Sequence, residues 1–359
     1  MAIITNESEA FLKAYIKNAS PTGFESSGQK IWLDYIKPYV DDYHVDNYGS
    51  VYGVINKDRP YRVVIEAHAD EISWFVNHIS DKGFIHVIRN GGSDHHVAPS
   101  KRVHIHTKKG IVNGVFGWPA IHTRKNEKEK NPSVKNIFID VGAKDKEEVL
   151  EMGIHVGCVI TYPDELMMLN DKFYVGRALD NRVGGFCIAE VARLIKENKK
   201  ELPFALYVVN SVQEEVGLRG AQMMAHTIKP HVAIVTDVTH DTHTPLMTTQ
   251  DLGDIQVGLG PSVTYGPAVH NKLLDLIIDS AESKEIPIQR EAASRYTGTD
   301  TDAFAYSNGG VPSALISIPL RYMHTTVETA SKEDVENVIR LIYETLGNIE
   351  ENHNFKYLE

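Results

Sequence analysis

The chain carries only two cysteines in 359 residues, Cys158 and Cys187, both set among apolar neighbours. That is too few for a disulfide framework or a cysteine-type zinc site, and the neighbours point to buried free thiols. No stretch approaches the ~18 consecutive apolar residues of a membrane-spanning helix. The segment MAIITNESEAFLKAYIKN has no basic region followed by a hydrophobic core and a small-residue cleavage site, so a cytoplasmic protein with no membrane partner is expected. Positive charge is scarce as well: 37 Lys and Arg face 48 Asp and Glu, for a formal net charge of -11. Nucleic acids and anionic lipids require clustered cations, so neither is an expected partner. Gly253, Gly258, Gly260 and Gly266 have neither the strand–loop–helix order nor the lysine of a phosphate-binding loop. A GxSxG elbow is missing too, which argues against a serine hydrolase.

What is present is an ordinary globular composition, long enough for two domains or for one domain with an insertion. Phe11, Leu12, Tyr15 and Ile16 mark one helical face, and Ile31, Trp32, Tyr35 and Ile36 a second. The run Val63–Ile65 reads as a buried strand ending at Glu66-Ala67-His68-Ala69-Asp70. Residues 73–163 then hold short β-type segments (SWFVNHI, GFIHVI, RVHIHT, GIVNGVFG, NIFIDVG, CVITY) with little helical periodicity. They predict a small all-β barrel or sandwich inserted into an α/β domain formed by 1–72 and 164–359. Within the insert, HTRKNEKEKNPS (122–133) is a charged loop expected to be mobile. The α/β pattern resumes with a helix over 183–195, strands at 204–212, 232–238 and 313–318, and helices at 271–284 and 332–347. The last has a capping-box-like start at Ser331 and Asp334.

Five segments put metal-type side chains at the carboxyl end of an apolar run or at a helix start, the edge where open α/β sheets bind ligands. Each has an ordinary explanation when taken singly. His68 and Asp70 lie two apart on a strand, so both face one side, and Asp70 could orient the imidazole while His68 binds a metal. Asp180 in RALDNRVGG could be a plain helix N-cap or a carboxylate bridging two cations. Adjacent glutamates such as Glu214 and Glu215 in QEEVGLRGA usually form a solvated face. Asp237 and His324 could each be an incidental strand-end residue. Jointly, His, Asp, Glu, Asp and His at successive strand ends make a nitrogen and oxygen ligand set for two divalent ions about 3.5–4 Å apart, with Glu214 left over to carry protons.

The segments HADEIS, RALDNRVGG, QEEVGLRGA, TDV, GTDTDAFA, VPSALISIPLRYMHT and GPAVHN resemble the signature segments of the M42 family of dinuclear metallo-aminopeptidases, over nearly the whole chain. These are the tetrahedral (TET) and glutamyl-aminopeptidase-like enzymes, related to the M20 and M28 exopeptidases. The resemblance implies metal ligands His68, Asp180 (bridging), Glu215, Asp237 and His324. It also implies Glu214 as general base and acid, and Asp70 as support for His68. It implies a mixed-sheet, phosphorylase/hydrolase-like catalytic domain sandwiched by helices, with an inserted PDZ-like β barrel used for self-association. The expected assembly is a dodecameric cage built from dimers. The expected cofactors are two divalent metal ions per subunit, and imidazole and carboxylate ligands suit zinc, cobalt or manganese. The expected activity is release of N-terminal residues from short peptides. Asn181 stands where many relatives have a second Asp.

Other readings compete. An M20-like deacylase or dipeptidase has a similar segment order, though RYMHTTVE and GLRGA fit M42 better. A glycoside hydrolase needs carboxyls about 5–9.5 Å apart across the scissile bond, which strand-end neighbours do not offer. A non-catalytic scaffold would have no use for the full ligand set. Among 17 histidines, His104-x-His106 and His240-x-x-His243 resemble ligand pairs. The first reads as structural. The second lies beside Asp237, where a substrate pocket would form, and reads more readily as incidental. His95 and His96 read as an exposed loop. No sequence feature orients the loops near 240–265, 290–300 and 320, so acidic, basic and neutral N-terminal residues all stay open.

Overall fold

The computed structural model describes residues 3–124 and 131–358. The middle of the charged segment expected to be mobile, 125–130, lies outside the described residues. An eleven-stranded mixed sheet and a closed six-stranded barrel account for the strands.

Four parallel strands form the centre of the sheet: β3 (Arg62–His68), β12 (Ala205–Ser211), β13 (Val232–His240) and β16 (Ser313–Arg321). Their side chains are buried almost end to end, as expected of parallel strands covered on both faces. Helix α4 (Leu179–Glu197) packs on β3 and β13 and is flanked by α1 (Asn6–Lys17), α2 (Ser26–Ile36) and α9 (Lys332–Gly347). Helices α5 (Arg219–Ile228) and α8 (Thr301–Ala305) pack on each other and against β12 and β13.

The helix over 332–347 occurs as expected, but its capping box does not. Ser331 Oγ accepts from Asp334 N at 3.4 Å, whereas the Asp334 carboxylate accepts from Gly258 N (2.6 Å) and Gly260 N (2.8 Å). Only half of the box forms, because the acid ties a neighbouring loop instead of returning to the cap.

Register explains why distant residues converge. His68 pairs with Ser211 across β3 and β12, and Glu66 pairs with Val235 across β3 and β13. Continuing the second register by two residues brings Asp237 level with His68. The strand ends of β3, β12 and β13 therefore share one edge of the sheet.

The barrel interrupts the chain between His68 and Asp180. Its strands follow the closed order β4 (Ser73–Ile79), β5 (Ile85–Asn90), β8 (Phe138–Asp140), β7 (Gly110–Gly117), β6 (Arg102–Thr107) and β9 (Val159–Thr161). Alternation along these strands buries Trp74, Val76, Ile85, Val87, Val103, Ile105, Phe116 and Ile139 in a core separate from that of the large sheet. Strands β10 (Met167–Leu169) and β11 (Phe173–Gly176) then rejoin the main sheet and deliver the chain to Asp180.

Candidate metal centre and active site

All seven residues singled out in the sequence meet at the carboxyl edge of the sheet. His68 Nε2 lies 3.2 Å from Asp180 Oδ1, 3.9 Å from Asp237 Oδ1 and 3.8 Å from Glu214 Oε2. His324 Nε2 lies 3.3 Å from Asp180 Oδ2 and 3.6 Å from Glu215 Oε2. Two triads result, His68–Asp180–Asp237 and Asp180–Glu215–His324, each with ligand atoms within 4.8 Å of one another. They share Asp180, one carboxylate oxygen facing each imidazole.

Local backbone geometry sets these directions. Strand β11 stops at Gly176, Ala178 turns into the left-handed region (φ 56°), and Asp180 and Asn181 are not helical although the helix is already under way. The Asp180 side chain thus faces the two imidazoles. Asn181 is buried, donates from Nδ2 to Thr236 O (2.8 Å) and accepts from Gly184 N (3.2 Å). An amide can do both, so Asn181 pins the helix start to β13 one residue before Asp237; an aspartate has no N–H to give Thr236.

Asp70 does more than the sequence suggests. Its Oδ1 stands 3.3 Å from His68 Nδ1, facing the ring. The same carboxylate accepts from Glu214 N (3.0 Å), Glu215 N (3.2 Å) and Thr22 Oγ1 (2.9 Å). Beyond β12, Gln213 adopts a left-handed conformation (φ 59°) and a short 3-10 turn begins at Glu214. Asp70 clamps the first two amides of that turn, so one carboxylate aligns both His68 and the glutamate pair.

The electrostatics favour cations. Four carboxylates (Asp180, Glu214, Glu215 and Asp237) crowd two imidazoles in a largely buried space. Burial pushes the Asp237 carboxyl up to about 8, with the Asp180 charge adding to the shift and His68 opposing it. Burial likewise raises Glu214 to about 10, against the pull of His68. Glu215 is raised by burial and by Asp180. Burial works against a charged His68, but Glu214, Asp180, Asp70 and Asp237 outweigh it and hold the ring well above its usual range. Asp180, between the two imidazoles, is instead held below its usual range against the cost of burial, so without bound cations it is Glu214, Glu215 and Asp237 that relieve the repulsion by keeping protons. A divalent ion in each triad removes the same repulsion, and nitrogen and oxygen donors at these separations suit first-row divalent metals. The residues fit the metal ions that the sequence implies.

Several supporting residues escaped the sequence reading. Glu328 accepts from His324 N (2.7 Å) and Asp180 N (3.1 Å), fixing the backbone of one residue from each side of the cluster. It sits inside RYMHTTVE, four residues after His324, but nothing about a glutamate there announces that task. Ser211 donates or accepts between Glu66 Oε1 (2.6 Å) and Asp300 Oδ2 (2.7 Å) beneath the site, where burial and the Asp300 charge push the Glu66 carboxyl well up. From the barrel side, Gly92 lies against the His324 ring so closely that an added Cβ would stand 2.5 Å from Nδ1.

The other histidines sort out differently. His106 Nε2 contacts Thr161 Oγ1 (2.8 Å) within the barrel, and His104 is only partly buried beside it. His95 faces Arg89, with its ring 4.4 Å from that of His96. His240 lines the cavity over the triads, whereas His243 turns away to Asp254 (2.7 Å). That cavity is about 1010 Å³, with His68, Asp180, Glu214, Glu215, Asp237 and His324 among its walls. Among the described residues no helix is long and apolar enough to cross a membrane.

The paired triads make a candidate metal centre at the floor of an open cavity, and comparison with known proteins fixes the family as one of peptide hydrolases. The family model for M42 glutamyl aminopeptidases matches residues 49–341. A lysyl aminopeptidase of Pyrococcus furiosus is 33% identical over 335 residues, covering 92% of this chain and 94% of its own. The crystal structure of a TET aminopeptidase from a marine-sediment thaumarchaeote superposes with a TM-score of 0.91 at 31% identity, covering 96% of this chain and 97% of that one. The Pyrococcus horikoshii TET1 peptidase, described as assembling into a tetrahedron or a large octahedral shell, superposes with a TM-score of 0.82 at 27% identity, covering 94% of this chain and 98% of that one. The chain belongs to the M42 family of aminopeptidases, whose members are metal-dependent.

Proposed function

We propose that the protein removes single N-terminal residues from short peptides, using two divalent cations and Glu214. His68, Asp180 and Asp237 would hold one cation, and Asp180, Glu215 and His324 the other. The observation that carries this reading is the pair of triads sharing Asp180, with Glu214 beside them and outside both. Cations held there supply Lewis-acid activation of a water and of the scissile carbonyl. Glu214 takes the proton of the attacking water and returns it to the leaving amine. Asp70 keeps the Glu214 and Glu215 amides and the His68 ring in place, so the base is aimed before substrate arrives. Zinc, cobalt and manganese all suit the donor set.

The glutamates do not act as a glycosidase pair: Glu214 faces His68 and Glu215 faces His324, so they do not flank one bond. The barrel unit, taken as 73–163, we assign to self-association, with the remainder of the chain as the catalytic unit. A dodecamer built from dimers is the expected assembly.

Glu214→Gln tests the central assignment. General acid and base catalysis contributes about 10²–10⁴-fold, so turnover of aminoacyl substrates should fall by at least that range while elemental analysis still finds both metals. Near-normal activity in this variant removes Glu214 from its role. Hydrolysis of a polysaccharide that survives chelation would replace the peptidase reading altogether.

A further inference from the structure

After α9 the chain turns back past the amino ends of β3 and β13, and imidazoles and aromatic rings hold it there. Tyr61 OH donates to His353 O (2.9 Å). The His353 ring stacks on Phe355, centroids 4.3 Å apart, and the His270 ring stacks on Tyr357 at 4.2 Å. At the start of α7 (Asn271–Ser283), Asn271 N donates to Tyr357 OH (3.0 Å) and Lys272 Nζ to Lys356 O. A cavity of about 770 Å³ lies beside this strap, and among the described residues its walls hold His231, His270 and His353 but no carboxylate. Tyr306 lines both this cavity and the one over the triads.

His231 joins the strap to the sheet. Its backbone N donates to Arg62 O (2.8 Å), and Arg62 N donates to its Nδ1 (3.0 Å). The same ring stacks on Tyr61 at 4.7 Å. Nδ1 accepts only while it carries no proton, because a charged imidazole has an N–H at both ring nitrogens. A proton taken up there sets two N–H groups against each other, so the ring leaves Arg62 and, with it, Tyr61. Partial burial and the Arg62 charge push the titration of His231 down. Partial burial and Lys272 do the same to His270. Tyr357 is 56% exposed, so the attraction of its face for a charged His270 ring is the weaker influence. The charged groups around the two imidazoles are Arg62 and Lys229 beside His231, Lys272 beside His270, and Lys356 on the strap. The nearest acids along the chain, Asp275, Glu350 and Glu351, are exposed, and Glu351 turns to Arg59 (4.0 Å).

We propose that residues 353–358 form an acid-released strap, which proton uptake by His231 and His270 unfastens from the sheet, opening the cavity behind Tyr306. Both imidazoles favour the docked strap while neutral. Docking is therefore complete above about 6.5, the ordinary value of a free histidine, and weakens as pH falls below it.

The test digests the metal-loaded full chain with a carboxypeptidase at pH 7.5 and pH 5.5 and follows removal of Tyr357 and Phe355 by mass spectrometry. The rate on the free peptide ENHNFKYLE at each pH corrects for the protease's own response. Corrected trimming of wild type should be at least about threefold faster at pH 5.5. In the double variant His231→Asn, His270→Phe, an amide oxygen still accepts from Arg62 N and a ring still stacks on Tyr357, but neither side chain takes up a proton. Its ratio between the two pH values should fall towards one. The double variant keeps the metal centre, so metal lost at pH 5.5 affects both proteins alike. If it does not fold, His231→Asn alone decides, with a ratio expected below about half that of wild type. Tyr61→Phe keeps the ring and removes the bond to His353 O, so it should speed trimming at pH 7.5. Equal corrected rates at the two pH values in wild type overturn the proposal. So does a pH response that persists undiminished in the variants, or a Tyr61→Phe strap trimmed no faster than wild type at pH 7.5.

Discussion

Gly92→Ala is the smallest change that should disable half of the metal centre from outside it. Gly92 belongs to the barrel side of the chain, yet an added Cβ would stand 2.5 Å from His324 Nδ1 and 2.6 Å from Cε1. Ordinary contact starts near 3.4 Å, so ring and backbone must separate by roughly 0.9 Å. The loop has little room to give, because buried Asn90 donates to Thr22 O (2.9 Å) and Ser73 Oγ (2.8 Å), and Ser93 donates to Ser73 O (2.6 Å). The His324 backbone is equally fixed, its N–H held by Glu328 at 2.7 Å. The imidazole must therefore rotate, carrying Nε2 away from its positions 3.3 Å from Asp180 and 3.6 Å from Glu215. Metal–ligand distances tolerate only about ±0.2 Å, so a shift of this size degrades the His324 triad and leaves the His68 triad alone. Losses of orientation around a ligand typically cost 10- to 100-fold in metal affinity, about 1.4–2.7 kcal/mol. Elemental analysis after dialysis against dilute metal should find close to one ion per chain instead of two, with circular dichroism unchanged. Two ions per chain, bound within threefold of wild-type affinity, would refute the argument that the barrel loop holds His324.

How much of this could be read from the chain depended on whether a residue's role followed from its own strand. His68, Asp237 and His324 close apolar runs that any reader of periodicity finds, and their convergence follows once β3, β13 and β16 are parallel neighbours. The barrel was legible for the same reason: its strands alternate cleanly, and RVHIHT and GIVNGVFG coincide with β6 and β7. The edge strand β1 (Asp42–Val45) is not legible, because it is exposed along its length and carries no alternation to mark a buried face, and its partner β2 (Val51–Ile55), which joins it to β12, is too short to stand out alone. Helix α5, Arg219–Ile228, is faint in the sequence as well, because small residues make up much of its buried face even though Ala221, Met224, Ala225 and Ile228 repeat at helical spacing. From the sequence Asp70 serves His68 alone, since its two bonds to the Glu214 and Glu215 amides exist only after β12 lies beside β3. Glu328 and Gly92 act through backbone contacts and close approaches that leave no trace in residue type.

Two further outcomes follow from the self-association assignment and from the titration of the cluster. The intact protein should elute in gel filtration far above its 40.1 kDa chain mass. Ile111 and Val115, exposed on one face of β7, should matter to that assembly, and replacing both with arginine should shift elution to smaller species; a monomeric wild type removes the claim. The metal-free cluster should release protons as it takes up cations. Asp237, raised to about 8, and Glu214, raised to about 10, are both protonated at pH 7 in the metal-free protein, and the raised His68 must also lose its proton before it can bind a metal. A cation favours the deprotonated forms, so protons and metal compete for the same groups. Metal affinity must then fall as pH drops below 8 and rise as pH climbs through it, and it keeps rising past the loss of the Asp237 proton because His68, Glu214 and Glu215 still hold theirs. Calorimetric titration of chelator-treated protein at pH 7, in two buffers of different ionisation enthalpy, reads the number of protons released. Equal heats in the two buffers would mean that the cluster binds no exchangeable protons, and that the crowding of carboxylates around His68 and His324 is relieved by some other arrangement.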